Sequence, residues 1–290
     1  MRIAVLASAD SWYARDLARA AVGRCELAVL PFAELSAELG AGNGVTCGGR
    51  RLEELEAVLV RTMPPGSLEQ VVFRMDGLAA LEAAGALVVN PPKAIEAAVD
   101  KYLAAHRLAR AGLLVPRTVV CQTAEEGMAA FAHLGGDVVL KPLFGSEGRG
   151  ITRINDEALA LRAFRMLEQL GAVLYLQEYV AHEGADLRLF VLGEQVLGMR
   201  RINPHDWRTN VSRGARTEPL AVTPELAELA HRAARAVGAV VAGVDLLPAA
   251  DGRLYALEVN AVPGWKALAS TLNLDVAALL LEYVRNALRK

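Results

Sequence analysis

Short apolar runs and longer stretches of helical pattern take turns along the first third of the chain. Residues 2–7 are apolar and partly β-branched, and an Asp10-Ser11 start signal opens a helical stretch to about Val22. Strand-like runs recur at Leu27–Leu30, Ala57–Arg61 and Leu87–Asn90, with a helical pattern over Ser67–Ala84 before the last. Strands alternating with helices predict a small parallel α/β lobe over roughly the first 95 residues. The turn after its first strand, Ala7–Trp12, contains no glycine, so a dehydrogenase with the dinucleotide fingerprint is excluded. Asn90-Pro-Pro-Lys93 then breaks the pattern and delays the next helix to about Ala94; that helix runs to about Ala111 and contains Asp100 and Lys101.

Beyond it the pattern predicts strands at Arg117–Cys121, Asp137–Pro142, Ile151–Ile154 and Val173–Gln177, with helices at Ala124–Leu134 and Asn155–Gly171. A hairpin follows at Ala185–Leu192 and Gln195–Met199, then a helix at Pro224–Gly238 and a closing amphipathic helix at Asp275–Arg289. Between the last two helices lie two apolar strands, Ala242–Leu247 and Leu254–Gly264, joined by Pro248–Arg253.

Two places carry candidate chemistry. In Leu143-Phe-Gly-Ser-Glu-Gly-Arg-Gly150 the glycines permit backbone conformations that turn N–H groups inward around a phosphate. Lys141 precedes them on a strand and no helix follows, so this is not a Walker loop; it reads as a hairpin flap over a nucleotide, or as a plain glycine-rich surface turn. In the late hairpin, alternation puts Glu258 and Asn260 on one face. A four-residue turn at Ala249–Gly252 places Asp245 opposite Ala256 on that same face, roughly 7–8 Å diagonally from Glu258, with Val244, Leu246, Tyr255, Leu257 and Val259 on the other. Two carboxylates and an amide on an apolar hairpin are either paired with arginines or turned to water at a sheet edge, or they hold magnesium.

Composition narrows the class. The chain has 290 residues, 53% hydrophobic and 22% charged, with a formal net charge of −2, which fits two or three globular lobes and argues against a general nucleic-acid or membrane-surface binder. Cys25, Cys47 and Cys121 are scattered, as in a reducing cytoplasm, and the five histidines form no zinc-ligand pair. The first residues read as a strand rather than a signal peptide, and no apolar run reaches membrane-spanning length.

Taken in order, Asp100-Lys101, Val139–Pro142 with the glycine loop, Gln177-Glu-Tyr-Val180, Asp186-Leu-Arg188, Arg208–Gly214, Ala242–Asp245 and Glu258–Gly264 resemble the RimK-type amino-acid ligases of the ATP-grasp superfamily. The resemblance spans nearly the whole chain. It implies an α/β (α+β) ATP-grasp fold: a small parallel α/β lobe over 1–95, and two lobes, 96–180 with the flap and 181–290 with the metal site, clamping ATP between antiparallel sheets. It further implies that Lys101 and Lys141 hold phosphates, together with the flap residues Gly145, Ser146, Gly148 and Gly150 and with Arg208, Thr209 and Asn210. Gln177, Glu178, Tyr179 and Val180 would form the adenine hinge with Asp186 nearby, and Asp245, Glu258 and Asn260 would hold two Mg2+ ions, for which Mn2+ substitutes. Arg188, Arg213 and Arg208 are the catalytic candidates, with structural pairing the competing role for Arg188, Arg200, Arg201 and Arg213. The implied reaction activates a carboxylate as an acyl phosphate and couples it to an amine, commonly that of glutamate.

Glu69–Asp76, Asn90–Glu96 and Pro263-Gly-Trp-Lys266 are similar to the branch that glutamylates tetrahydromethanopterin, although that pattern has glycine where this chain has Ala267. A protein tail or carrier-bound amino-adipate is the other acceptor, and a non-catalytic ATP-binding module the alternative of another class. Members of the family it resembles often self-associate as homo-oligomers, and an apolar surface on the first lobe is the place to look for such a contact.

Overall fold

The computed structural model describes residues 1–40, 42, 44–145 and 148–289. The first segment comprises β1 (Arg2–Leu6), α1 (Trp12–Ala21), β2 (Glu26–Leu30), β3 (Leu35–Glu38), β4 (Gly44–Cys47), β5 (Arg50–Arg51), β6 (Ala57–Val60), α2 (Leu68–Ala83) and β7 (Leu87–Val89). Strands in the order β2-β1-β6-β7 form an all-parallel sheet. Such a sheet is covered on both faces, so its strands read as continuous apolar runs: in β1, Ala4 and Leu6 face one core, Ile3 and Val5 the other. The antiparallel trio β3-β4-β5 was not expected from the pattern, because its strands bury only Leu35, Val45 and Cys47. α2 begins at a capping box, in which Ser67 and Gln70 exchange side chain-to-backbone bonds.

The single helix expected from Ala94 is instead two, α3 (Pro92–Val99) and α4 (Lys101–Arg110). Proline suits the first helical turn, where its missing N–H has no partner to lose, so α3 starts earlier. Asp100 then leaves helical geometry at ψ 106° and caps α4, its Oδ1 accepting from the Leu103 amide at 3.0 Å. The break sets Lys101 at the start of α4 beside the glycine loop, where its amide donates to the Leu143 carbonyl at 3.4 Å.

Next come β8 (Thr118–Cys121), α5 (Ala124–His133), β9 (Val138–Lys141), β10 (Thr152–Ile154), α6 (Glu157–Gln169) and β11 (Leu174–Glu178), the strands forming an antiparallel sheet in the order β10-β9-β11-β8. With α5 and α6 this sheet builds a core of its own around Phe131, Phe164, Leu174 and Leu176. The final segment holds β12 (Ala185–Leu192), β13 (Gln195–Ile202), β14 (Arg216–Pro219), α7 (Pro224–Val237), β15 (Val241–Pro248), β16 (Leu254–Asn260), α8 (Lys266–Leu272) and α9 (Val276–Ala287). Its antiparallel sheet runs β14-β13-β12-β15-β16, and each face shares a core with the first sheet: Val191, Val244 and Val259 join Leu6 and Val58, whereas Phe190, Met199 and Val241 join Ile3 and Leu59. Among the described residues no single helix is long and apolar enough to cross a membrane.

The β15–β16 register differs from the expected four-residue turn. Pro248 pairs with Leu254, leaving five residues in the connection, 249–253, where the Ala249 amide donates to the Arg253 carbonyl at 2.8 Å. A bulge then absorbs Leu257, so Asp245 sits opposite Glu258 rather than Ala256. Ala256 and Val259 therefore both face the core with Val244 and Leu246, and Tyr255 and Leu257 do not.

Asn90, 2% exposed, ties the first sheet to the last. Its Nδ2 donates to the carbonyls of Val241, at 2.6 Å, and Ala261, while its Oδ1 accepts from the amides of Val240 and Val241 at 2.8 and 2.9 Å. Asn90→Ala leaves these groups unpaired in the interior, an expected loss of at least about 3 kcal/mol. In a chain of this size that lowers Tm by roughly 5–10 °C in a thermal melt; a wild-type Tm would show that the groups find other partners.

Candidate nucleotide site

The central and final sheets face each other across a solvent-open cleft of about 370 Å³, lined by Ala98, Leu108, Ile151, Tyr175 and Leu257 and by the charged groups Lys101, Lys141 and Glu258. Lys141 ends β9, and its ammonium donates to Gln177 Oε1 at 2.6 Å; Gln177, 3% exposed, donates in turn to Thr118 Oγ1 at 3.1 Å. Enclosure pushes the Lys141 amine down to about 8, against the attraction of Glu258 and with the repulsion of Lys101. The Lys101 amine is also lowered by burial, opposed by Glu258, and donates to the Gly145 carbonyl at 2.7 Å.

The flap hairpin is as expected, with Thr152 opposite Leu140 and Ile154 opposite Val138. Gly148 and Gly150 take φ of 69° and 72°, the left-handed region that glycine tolerates. A Cβ at Gly148 would collide with the Asn210 amide, so the flap rests on the segment carrying Arg208, Thr209 and Asn210. Ser146, expected among the phosphate contacts, lies outside the described residues.

The three expected metal-holding residues meet different fates. Asp245 is paired with arginines: Arg188 Nη1 donates to it at 2.7 Å and Arg201 Nη2 at 2.9 Å. Burial alone would raise its carboxyl, but the two guanidiniums bring it down to about 2. Asn260 Oδ1 accepts from the Val262 amide at 2.7 Å. Glu258 has no hydrogen-bond or ion-pair partner among the described residues, although it lines the cleft with both lysines. An unpaired carboxylate beside two desolvated ammonium groups suits a cation bound with phosphates, the cation meeting the carboxylate and the phosphates the lysines. Of the two readings of the hairpin, pairing with arginines is what Asp245 does, while Glu258 has no such partner among the described residues.

The remaining candidates are not among the residues that line the cleft. Asp186, 2% exposed, accepts a fork from Arg201 at 2.7 and 2.5 Å and a hydrogen bond from Thr209 Oγ1 at 2.6 Å. Arg201 therefore bridges Asp186 and Asp245, the structural pairing that was its alternative to catalysis, with the two acids it joins not specified by the sequence. Of the expected hinge residues, Glu178 pairs with Arg117 at 2.6 Å, and Tyr179 lies under the Arg153 guanidinium at 3.4 Å, beside Val180. Arg208 is held by Asp206 at 2.7 Å, and Arg213 is exposed. Leu257 reaches the cleft only through the bulge, which simple alternation conceals.

Comparison with known proteins fits this arrangement. Residues 98–284 match the RimK-like ATP-grasp domain. The chain is 34% identical to the tetrahydromethanopterin:alpha-L-glutamate ligase of Methanosarcina acetivorans, covering 96% of this chain and 97% of that one. It is 32% identical to a probable alpha-L-glutamate ligase of Haemophilus influenzae, over 70% of this chain and 68% of the other. Among solved structures, the ATP-grasp ligase PsnB complexed with a phosphomimetic variant of minimal precursor, Mg and ADP superposes with a TM-score of 0.74 at 25% identity, covering 100% of this chain and 99% of that one. From the paired lysines, the glycine flap and a family match over most of its length, the chain belongs to the RimK-like ATP-grasp family and is a ligase.

Proposed function

We propose that this ligase joins L-glutamate, through its amine, to the carboxylate of a small acceptor of the tetrahydromethanopterin type, using ATP. The observation that carries the reading is the unpartnered Glu258 carboxylate beside Lys101 and Lys141. Similarity along nearly the whole chain to a ligase named for that acceptor supports the substrate class.

In this reading residues 1–95, 96–180 and 181–290 work as three lobes. Lys101, Lys141, Arg208, Thr209, Asn210 and the flap glycines hold the triphosphate, and Gln177–Val180 with Asp186 frame the base. Glu258, Asn260 and Asp245 would hold two magnesium ions, or manganese in their place, which supply positive charge against the transferring phosphoryl. The γ-phosphoryl passes to an acceptor carboxylate oxygen and ADP leaves. The glutamate amine then attacks the acyl carbon, the C–O bond to phosphate breaks, and the amine proton is lost to solvent. Arg188 and Arg213 steady the carboxylate and the tetrahedral oxyanion. The closed flap keeps water from the acyl phosphate until the amine arrives.

Purified protein with ATP, Mg2+ and L-glutamate is expected to release phosphate in proportion to added tetrahydromethanopterin. Equal release with and without the pterin overturns this acceptor. A second reading keeps the chemistry and moves the acceptor onto a larger precursor, which the full-length likeness to PsnB favours; glutamylation of a polypeptide carboxylate in the same assay would select it.

A further inference from the structure

Arg61 is a buried cation without an anion. It follows β6 at the carboxyl end of the parallel sheet, is 9% exposed, and has no carboxylate within ion-pair distance among the described residues. Its Nη2 donates to the Pro263 carbonyl at 2.7 Å, while its Nε has no partner at all. The rings of Trp265 and Tyr13 lie 4.5 and 5.3 Å from the guanidinium carbon. These ring contacts recover only part of what desolvating a guanidinium costs. Burial lowers the group to about 10, which leaves it ionised at neutral pH.

The neighbourhood offers no hidden counter-ion. A small recess beside Arg61 is walled by Val60, Val89, Val241, Ala261 and Leu280, and Asn90, its one other polar side chain, uses its amide on backbone groups. The position is telling. Pro263 follows Asn260 by three residues, a span of at most about 11 Å, so Arg61 sits just past the cleft's acidic strand end. The carboxyl ends of parallel strands are also where open α/β sheets place ligands.

Resting on the ligase reading above, we propose that Arg61 binds a substrate carboxylate other than the one that is phosphorylated. Two sources share this chemistry, the incoming amino acid and the acceptor. A guanidinium fork meets a carboxylate with two charge-assisted hydrogen bonds, and the unused Nε–H is one of the donors such a fork needs.

The test is Arg61→Gln in the full-length chain, which keeps a donor for the Pro263 carbonyl and removes the charge. KM for L-glutamate or for tetrahydromethanopterin is expected to rise about ten- to a hundred-fold, with kcat and the ATP dissociation constant near wild type. A rise for glutamate alone assigns the amino acid, and a rise for the pterin alone assigns the acceptor. Arg61→Lys, which keeps charge without the fork, should fall between. If Arg61→Gln does not fold, Arg61→Lys decides by the same split. Unchanged KM for both substrates in a folded variant overturns the assignment, whereas a wild type that turns over neither substrate fails the ligase reading instead. A second readout needs no turnover: L-glutamate or the pterin should shift the emission of Trp265 in the wild type, and Trp265→Phe should lose that shift. A shift that survives Trp265→Phe counts against binding at Arg61.

Discussion

Glu258→Gln is expected to lower ligase turnover by about 10²–10³-fold while leaving Tm within a degree or two of wild type. The fold should tolerate the change because, among the described residues, Glu258 holds no ion pair and no hydrogen bond that glutamine would break. Glutamine also keeps the volume in a sheet position packed against Asp245 across the strand pair. What disappears is charge. Glu258 is the carboxylate that draws both cleft lysines toward their ionised forms, so without it two ammonium groups face each other with less to offset them. It is also the one member of the proposed metal-holding set whose oxygens are uncommitted. Steady-state ADP release and a thermal melt on the same preparation check both halves of the statement. Near-normal turnover would remove Glu258 from the magnesium site.

Lys141→Ala is expected to weaken ATP binding by about a hundred-fold or more, since a desolvated ammonium against phosphate is a strong charge-assisted contact. The pH dependence carries the sign. In the free protein Lys141 is lowered to about 8, and bound phosphates favour its charged form, so its value rises on binding. Below pH 8 the free and bound proteins are both protonated there, and the affinity is flat with respect to this group. Above pH 8 the free protein has lost the proton and must take it up to bind, so Kd should climb by up to about tenfold per pH unit. Calorimetry in buffers of different ionisation enthalpy would register that uptake near pH 8.5. In Lys141→Ala the inflection should vanish, and an affinity that improves with pH in the wild type would refute the argument.

How much of this was readable beforehand depended on whether the signal was local. The parallel strands were legible because both faces are buried, so residues such as Ala4, Val5 and Val58 are apolar without interruption. β3 and β4 were not, because Ser36, Glu38 and Thr46 put polar groups at three of their eight positions and the buried ones are few. The flap was legible from its glycines and the lysine before them. The bulge was not: alternation is a rule about paired strands, and it cannot announce where one strand carries an extra residue. That single residue moved Asp245 opposite Glu258 and put Leu257 into the cleft. Asp100 is a helix cap in the structure, yet the sequence around it reads equally well as uninterrupted helix. Pairing with an acid was one of the roles open to Arg201, but which acids it meets, and the burial of Arg61, were opaque for a different reason. Their partners, or the lack of them, come from strands up to two hundred residues away, and nothing near either residue tells a buried arginine from a surface one.

The sheet formed by β8 to β11 keeps its hydrophobic interior to itself, sharing no buried residue with the two cores that knit the first and last sheets together. Its links to the rest include polar bonds, such as Lys101 to Gly145 and the Arg208 guanidinium to the Ile151 carbonyl. A part built this way can shift against the other two sheets while its own core stays packed, and the apolar side chains that change neighbours are those on the cleft walls, Tyr175 among them. Closing over a nucleotide would then exchange contacts at the cleft walls, polar and apolar together, and leave the three interiors as they are.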